Sequence, residues 1–510
     1  MNARAWVLAT GCFVGCGSVN DGTPDAAVDA PPGTVDAAVV SRSLRYERVS
    51  IGATVVSEPL DLTGTSATYL MEDATAPSGL REIDASVVDG AWAATLPPGR
   101  AQVEFTLPDR PTPLARIFSF DAAVVTDVFA QLAHPAPTAA PVPASLDVVG
   151  PVTFPTAYAN TTLRLAVIGT WTQYDFSGGE RPAMGALTWD PPAVDYAAMA
   201  AQAGVRDAMT PADVALLLRY SGGRLDAWAE AMPITMGGGV NALTPVAATM
   251  SEVTTDVTVD ARVDALSGFT RIGALAPAFD VASSFGQYVV RAAPGGALGV
   301  YQGPVLANGN LASLVTDDVV VDASSGNPFD VVGGRQWPAT ALVELRRSRT
   351  YTAAPRSLLL YAGVFALEVP RTDGGDVLFA APLPTTVVVG GTTLTADNRV
   401  VPLDVADAVE VRFALDGAAC TRYQATLNAV DDDAGNPASF ARRIVVGLSG
   451  DVGRWLVPRR YFVDGQRYLV RTECTLGGYR NLAGGDLTDR ELPLSVGYLD
   501  SPVFTVTTTP

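Results

Sequence analysis

The chain has 510 residues, of which 53 are acidic and 34 basic, so its formal net charge at pH 7 is −19. Every basic side chain is arginine, because the sequence contains no lysine. A field this negative repels polyanions, which argues against nucleic acid as a partner, and a phosphate-binding P-loop is impossible without its lysine. The length exceeds what one hydrophobic core supports and therefore predicts several domains.

The N-terminus has the pattern of an export signal. Arg4 supplies a positive charge, an apolar run follows, and a small residue stands before Cys16. The run is shorter than the roughly 20 residues that a membrane-spanning helix needs. Residues 1–16 resemble a lipoprotein signal peptide, whose peptidase cuts before a cysteine that is then acylated. The resemblance makes Cys16 the predicted acylation site and Cys12, which ends a second lipobox, the alternative.

Residues 17–42 are predicted to form a disordered tether rich in Asp, Ala and Pro. Such sequence buries little surface and repels itself, so it stays extended. Residue 17 is glycine and not aspartate. By resemblance to lipoprotein sorting in Gram-negative cells, this indicates a lipid-anchored, extracytoplasmic protein at the outer membrane or cell surface.

The folded region is predicted to be all-β, with several antiparallel β-sandwich domains in series and few short helices. Gly and Pro are frequent, with 48 and 37 residues, and long helical patterns are rare. In residues 43–133, a hairpin turn at Asp89-Gly90 and a turn at 97–99 separate strands that alternate apolar and polar residues. This order resembles the carboxypeptidase regulatory-like β-sandwich, also called transthyretin-like.

The middle of the chain is predicted to contain two further β domains. A Pro/Ala linker covers residues 134–144, one β domain follows over 145–300, and another over 301–400. Residues 257–264 alternate apolar and polar side chains most regularly, which indicates an antiparallel strand with one solvent-exposed face. Residues 211–220 are compatible with either a short helix or a strand.

The last predicted domain covers residues 401–510. Tyr468 follows an Asp-Gly turn and opens an alternating strand. This arrangement resembles the tyrosine corner of fibronectin type III and immunoglobulin-like sandwiches. In that fold, the strand that Cys420 would open and the strand that Cys474 would close are antiparallel neighbours. The resemblance therefore implies a structural disulfide between them, as expected for an exported protein, with two buried free thiols as the alternative.

One turn has the composition of a calcium site. Asp431, Asp433 and Asn436 crowd it with the hard oxygen ligands that Ca²⁺ prefers. Their spacing differs from that of an EF-hand, and solvated hairpin tips often have the same composition. These residues are the candidate calcium ligands, with a solvated hairpin tip as the alternative, and no other cofactor is predicted.

Recognisable catalytic motifs are not found in the sequence. The single histidine, His134, lies in the Pro/Ala linker, which excludes multi-histidine zinc sites and leaves a Ser-His-Asp triad without a suitable base. A glycosidase needs only two suitably spaced carboxylates, so a carboxylate-dependent hydrolase stays open. Arg346, Arg347 and Arg349 could contact an anionic partner or lie on the solvent-exposed face of a strand.

The tether, the β modules and the fibronectin-like end resemble large surface lipoproteins known from myxobacteria, to which no activity is assigned. The predicted function is that of a non-enzymatic, surface-exposed lipoprotein for adhesion, envelope structure or binding of a protein or glycan partner. The alternatives are a carboxylate-dependent extracellular hydrolase and a ligand-binding receptor lipoprotein. The receptor should have a large apolar pocket.

Overall fold

The computed structural model of the chain describes residues 39–509, except for the segments 52–54, 60, 74–75, 77–79, 107–113, 133–144, 168–171, 197, 199–214, 234–239, 256, 294–302, 312–318, 330–336, 354–355, 405–407, 431–440, 451 and 480–489. The fold is all-β, as predicted, and includes the helix α1 (Ala265–Leu275).

The strands before residue 133 are β1 (Val40–Ile51), β2 (Val55–Pro59), β3 (Ala67–Glu72), β4 (Leu80–Asp84), β5 (Ser86–Val88), β6 (Ala91–Leu96), β7 (Ala101–Thr106), β8 (Ala115–Phe120) and β9 (Val124–Leu132). Those between residues 145 and 310 are β10 (Ser145–Val148), β11 (Val152–Thr153), β12 (Thr162–Val167), β13 (Thr172–Asp175), β14 (Thr188–Trp189), β15 (Val194–Asp195), β16 (Ala215–Ser221), β17 (Arg224–Pro233), β18 (Val240–Pro245), β19 (Ser251–Glu252), β20 (Val257–Val263), β21 (Phe285–Ala292) and β22 (Val305–Asn310).

The later strands are β23 (Val319–Ser325), β24 (Ala339–Ala353), β25 (Arg356–Glu368), β26 (Thr372–Asp376), β27 (Pro384–Val389), β28 (Thr392–Thr393), β29 (Arg399–Asp404), β30 (Val409–Leu415), β31 (Arg422–Val430), β32 (Ala441–Ser449), β33 (Arg454–Val457), β34 (Arg467–Tyr479), β35 (Arg490–Asp500) and β36 (Phe504–Thr509).

The first nine strands form a β-sandwich. One sheet contains β2, β1, β6 and β5 in that order, with β9 paired in parallel to β1, and the facing sheet contains β4, β3, β7 and β8. Trp92 and Phe105 are buried between the sheets with ring centroids 5.1 Å apart. The predicted Asp89-Gly90 turn joins β5 to β6, and both residues have the positive φ of a type I′ turn. The predicted turn at 97–99 connects strands of different sheets.

Main-chain pairing continues from this sandwich into the rest of the chain. β8 pairs in parallel with β32, and the order then runs β31, β34, β35, β25, β24, β21 and β22. Strand β29 spans the predicted boundary at 400/401, and β25 and β35 pair across it. The predicted segments are thus joined by main-chain hydrogen bonds, and Val39–Pro510 is one compact unit.

Helix α1, which the sequence reasoning missed, packs into the central apolar core. Asp264 caps it by accepting a hydrogen bond from the Ser267 N–H at 2.9 Å. Phe269 and Ile272 are buried against β24 and β25. Gly268 lets the helix approach closely, because a Cβ there would lie 2.5 Å from Leu345. Two glycines in eleven residues obscure the helical pattern, since glycine disfavours helix interiors.

Two arginines alternate with three aromatic rings across the neighbouring strands β21, β24, β25, β35 and β34. On β24 and β25 these residues lie on the face opposite the core that contains α1. The guanidinium of Arg346 lies 4.6 Å from the ring centroid of Phe285 and 5.0 Å from that of Tyr361. The guanidinium of Arg471 lies 5.9 Å from Tyr361 and 5.7 Å from Tyr498. These five residues are called the arginine–aromatic row. They belong to three of the predicted domains, 145–300, 301–400 and 401–510. The row therefore links these three segments through side-chain contacts.

The carboxylates of Asp500 and Glu344 compensate the positive charges of the two arginines in the arginine–aromatic row. Arg471 donates to both carboxylate oxygens of Asp500, at 2.7 and 2.8 Å, and the Asp500 side chain is only 4% exposed. Asp500 also accepts a hydrogen bond from the main-chain N–H of Tyr361. The Tyr498 hydroxyl donates to Glu344 at 2.5 Å, and burial raises the pKa of Tyr498 well above its usual value. Removing one member would therefore leave a buried charge without its partner.

Candidate binding cleft

Several predicted site residues lie outside the described residues. They are the acylation candidates Cys16 and Cys12, the calcium candidates Asp431, Asp433 and Asn436, and His134. Among the residues that the structure describes, no group of three or more His, Cys, Asp and Glu side chains is placed to hold a metal ion. None of the helices in that part of the chain is both long and apolar enough to span a bilayer.

Cys420 and Cys474 form a disulfide, with Cα atoms 5.4 Å apart. Cys420 precedes β31, and Cys474 lies in β34, which is the antiparallel neighbour of β31, as expected. Cys474 is not at the end of its strand, because β34 continues to Tyr479. Both cysteines are buried, so the disulfide ties two core strands together and has a structural role.

Arg346, Arg347 and Arg349 do not form one basic surface. Arg346 belongs to the arginine–aromatic row, whereas Arg347 is buried on the other face of β24, against α1. Arg349 donates to both carboxylate oxygens of Asp397, at 2.5 and 2.9 Å. The sequence-adjacent arginines therefore serve separate structural contacts.

The loop between β13 and β15 contains a cleft of about 400 Å³, a volume that falls in the range of small-molecule sites. Its apolar wall consists of Pro182, Ala183, Ala186 and Pro192. Its polar lining consists of Glu180, Arg181, Thr188 and Asp190. Met184 and Leu187 lie beside it and are 69% and 57% exposed. An apolar wall with a few convergent polar groups is the usual composition of a ligand site.

Hydrogen bonds to the neighbouring segment hold the cleft in shape. The Trp189 indole N–H donates to the Glu180 carbonyl at 3.0 Å. The N–H groups of Phe154 and Tyr158 donate to the carbonyls of Leu187 and Ala186 at 2.8 and 2.9 Å. Trp189 is itself buried. The cleft is therefore preformed, which reduces the entropy that a ligand would have to remove on binding.

Glu180 is ionised at neutral pH. The Tyr174 hydroxyl donates to its carboxylate at 2.6 Å, and the Ser177 N–H donates at 2.8 Å. These hydrogen bonds, with that from Tyr174 the larger cause, lower the pKa of Glu180 below its usual value. Its carboxylate is thus occupied in fixing the loop.

The charged groups of Arg181 and Asp190 form no ion pair with the described residues and can therefore contact a ligand. The Arg181 Nε donates to the Phe176 carbonyl at 2.6 Å, which positions the guanidinium. Its terminal nitrogens have no hydrogen-bond or ion-pair partner among the described residues, and neither has the exposed Asp190 carboxylate. Two opposite charges therefore line one cleft without pairing with each other.

The sequence reasoning did not select this loop, although one local signal was present. Ser177 and Glu180 have the spacing of a capping box, and the structure contains both of its hydrogen bonds. That pattern predicts a tight turn and not a ligand. The cleft arises from contacts of the loop with Phe154 and Tyr158, roughly thirty positions earlier in the chain, and local patterns do not reveal such contacts.

Comparison with known proteins identifies no family. No family model and no curated protein matches the chain. Among solved structures, the Bacillus anthracis TIE protein aligns with 9% identity over 94% of this chain and 76% of its own, with a TM-score of 0.11. A likeness at that score carries no argument about fold or function.

Proposed function

We propose that the chain is a non-enzymatic lipoprotein of the outer membrane or cell surface, and that its folded region binds an extracellular partner through the cleft of residues 179–192. The observation that carries this proposal is the preformed cleft, with an apolar wall and unpaired opposite charges at Arg181 and Asp190. The predicted signal peptide of residues 1–16 ends in the cysteine that carries the lipid anchor, and the acidic tether of residues 17–42 is the spacer.

A carboxylate-dependent hydrolase is the less favoured alternative. Glycoside hydrolysis needs a carboxylic acid whose raised pKa keeps it protonated until it donates to the leaving group. Glu180 has the opposite property, because hydrogen bonds from Tyr174 and Ser177 lower its pKa. Glu368 has a pKa raised by burial, but Arg371 pairs with it at 3.1 Å, and it is not part of the cleft. The chemistry of the cleft therefore suits binding better than proton donation.

The cleft is tested with a substitution that fills it. Ala183→Trp places a large ring in the wall, whereas Met184→Trp adds the same ring beside the cleft at a residue that does not line it. Both variants and the wild type are used to capture surface proteins and glycans. We expect at least one partner of the wild type to be retained by Met184→Trp and lost by Ala183→Trp. Equal capture by all three proteins would contradict the proposal.

The anchor is tested by metabolic labelling with palmitate. We expect Cys16→Ala to abolish the label and to release the protein from the membrane fraction, because acylation at residue 16 provides the attachment. Cys12→Ala is the matched control and should keep the label. Loss of label only in Cys12→Ala would move the acylation site to Cys12, and a wild type without label would contradict the lipid anchor.

A further inference from the structure

We propose that the ligand of the cleft is a zwitterion that carries an ammonium group and a carboxylate on a short apolar frame, as a free amino acid or a short peptide does. This inference rests on the proposed binding function and adds the chemical class of the ligand. The shared chemistry of the two sources is the pair of opposite charges, and the experiment below separates them.

The two charges of the cleft that have no partner match such a ligand, whereas the third, the Glu180 carboxylate, already accepts hydrogen bonds from Tyr174 and Ser177. Arg181 is held through its Nε, so its terminal nitrogens present donors in a fixed place, and the guanidinium fork suits a carboxylate. Asp190 offers acceptors to an ammonium group from the same lining. Because neither side chain forms an ion pair with a described residue, a ligand need not break an existing ion pair to reach them.

The apolar surface matches the rest of the ligand. Two prolines and two alanines form the wall, and Met184 and Leu187, which follow the lining residues Ala183 and Ala186 in the chain, are exposed. Proline has no main-chain N–H, so Pro182 and Pro192 offer contact area and no main-chain donor. A side chain of the size of leucine would lose contact with water where it packs on this wall, which favours binding.

The overall charge also favours a neutral ligand over an anion. The chain has a formal net charge of −19, which repels a polyanionic glycan during approach. A zwitterion has no net charge and pays no such penalty. It can still form both local ion pairs once it reaches the cleft.

The test uses isothermal titration of the full chain with four named probes. L-leucine and L-leucyl-L-leucine carry both charges, N-acetyl-L-leucine lacks the cation, and L-leucinamide lacks the anion. We expect at least one zwitterion to bind, and each blocked probe to bind at least about tenfold more weakly, which corresponds to about 1.4 kcal/mol. Binding of L-leucine would indicate a free amino acid, whereas binding of the dipeptide alone would indicate a peptide.

Charge-removing variants assign each ligand group to its residue. In Arg181→Gln, L-leucinamide should bind as well as L-leucine, because the carboxylate has lost its partner. In Asp190→Asn, N-acetyl-L-leucine should bind as well as L-leucine. Arg45→Gln and Asp322→Asn are matched controls on exposed residues outside the cleft and should bind like the wild type.

The outcomes separate the two proposals. If no zwitterion binds while Ala183→Trp still abolishes capture of another partner, the ligand class is wrong and the binding function stands. If both zwitterions bind equally well to Arg181→Gln, Asp190→Asn and the wild type, the assignment of the charges is wrong. If Ala183→Trp changes the binding of no partner and no probe, both proposals fail.

Discussion

Replacing Arg471 by alanine is expected to lower the free energy of unfolding by about 3 to 5 kcal/mol, the usual cost of leaving a buried charge without its partner. Asp500 would lose both hydrogen bonds of the guanidinium while its side chain stays 4% exposed. The rings of Tyr361 and Tyr498 would also lose the cation that lies between them. Urea unfolding followed by tryptophan fluorescence measures the change.

Two controls separate the buried ion pair from a general effect of removing arginine. Arg262→Ala breaks a pair with Asp376 whose side chains are 51% and 47% exposed, and it should cost far less, because solvent screens exposed ion pairs. The double variant Arg471→Ala/Asp500→Asn should recover part of the loss, because the buried charge is then gone. A loss for Arg471→Ala as small as that for Arg262→Ala would show that the arginine–aromatic row does not stabilise the fold.

Replacing both Cys420 and Cys474 by alanine is expected to lower the free energy of unfolding by about 4 kcal/mol. The disulfide closes a loop with a sequence separation of 54, and the chain-entropy estimate for such a loop gives about this value. Alanine is preferred to serine because Cys474 is fully buried and a hydroxyl there would need a partner. Urea unfolding is again the measurement.

Reduction provides the control for the disulfide. Wild type treated with dithiothreitol should unfold at nearly the urea concentration of the alanine variant, and the variant should not respond to the reductant. Mass spectrometry under non-reducing conditions should show the wild-type bond. Unfolding of the wild type that is unaffected by reduction would contradict a stabilising disulfide.

Local patterns in the sequence predicted many of the strands but few of the pairings between strands. The alternating segment predicted at residues 257–264 is strand β20 (Val257–Val263), which pairs antiparallel with β23. Residues 215–221 proved to be a strand and not a helix. Period-two alternation decides which side chains share a face, but it does not say which strand lies alongside. The parallel pairing of β8 with β32, more than 300 residues apart, could not be read from it.

The disulfide and the corner tyrosine could be predicted from the sequence, whereas the cleft could not. The disulfide could be predicted because Cys420 and Cys474 are the only two cysteines after residue 16, and a lone pair is expected to be joined if the chain is exported, as predicted. Tyr468 was singled out as a corner residue, and its hydroxyl accepts a hydrogen bond from the Val463 N–H at 2.6 Å. The cleft could not be predicted, because Arg181 and Asp190 line it only when the loop folds against the segment that contains Phe154 and Tyr158. An isolated arginine or aspartate in a turn has no distinguishing pattern.

The most direct test of the account is hydrogen–deuterium exchange of the full chain with and without a captured partner or a bound probe. A ligand that occupies the preformed cleft should slow exchange in the peptides that cover residues 178–192 and leave the arginine–aromatic row unchanged. Protection confined to another surface, with exchange over residues 178–192 unaltered, would contradict the claim that this cleft is where the protein binds.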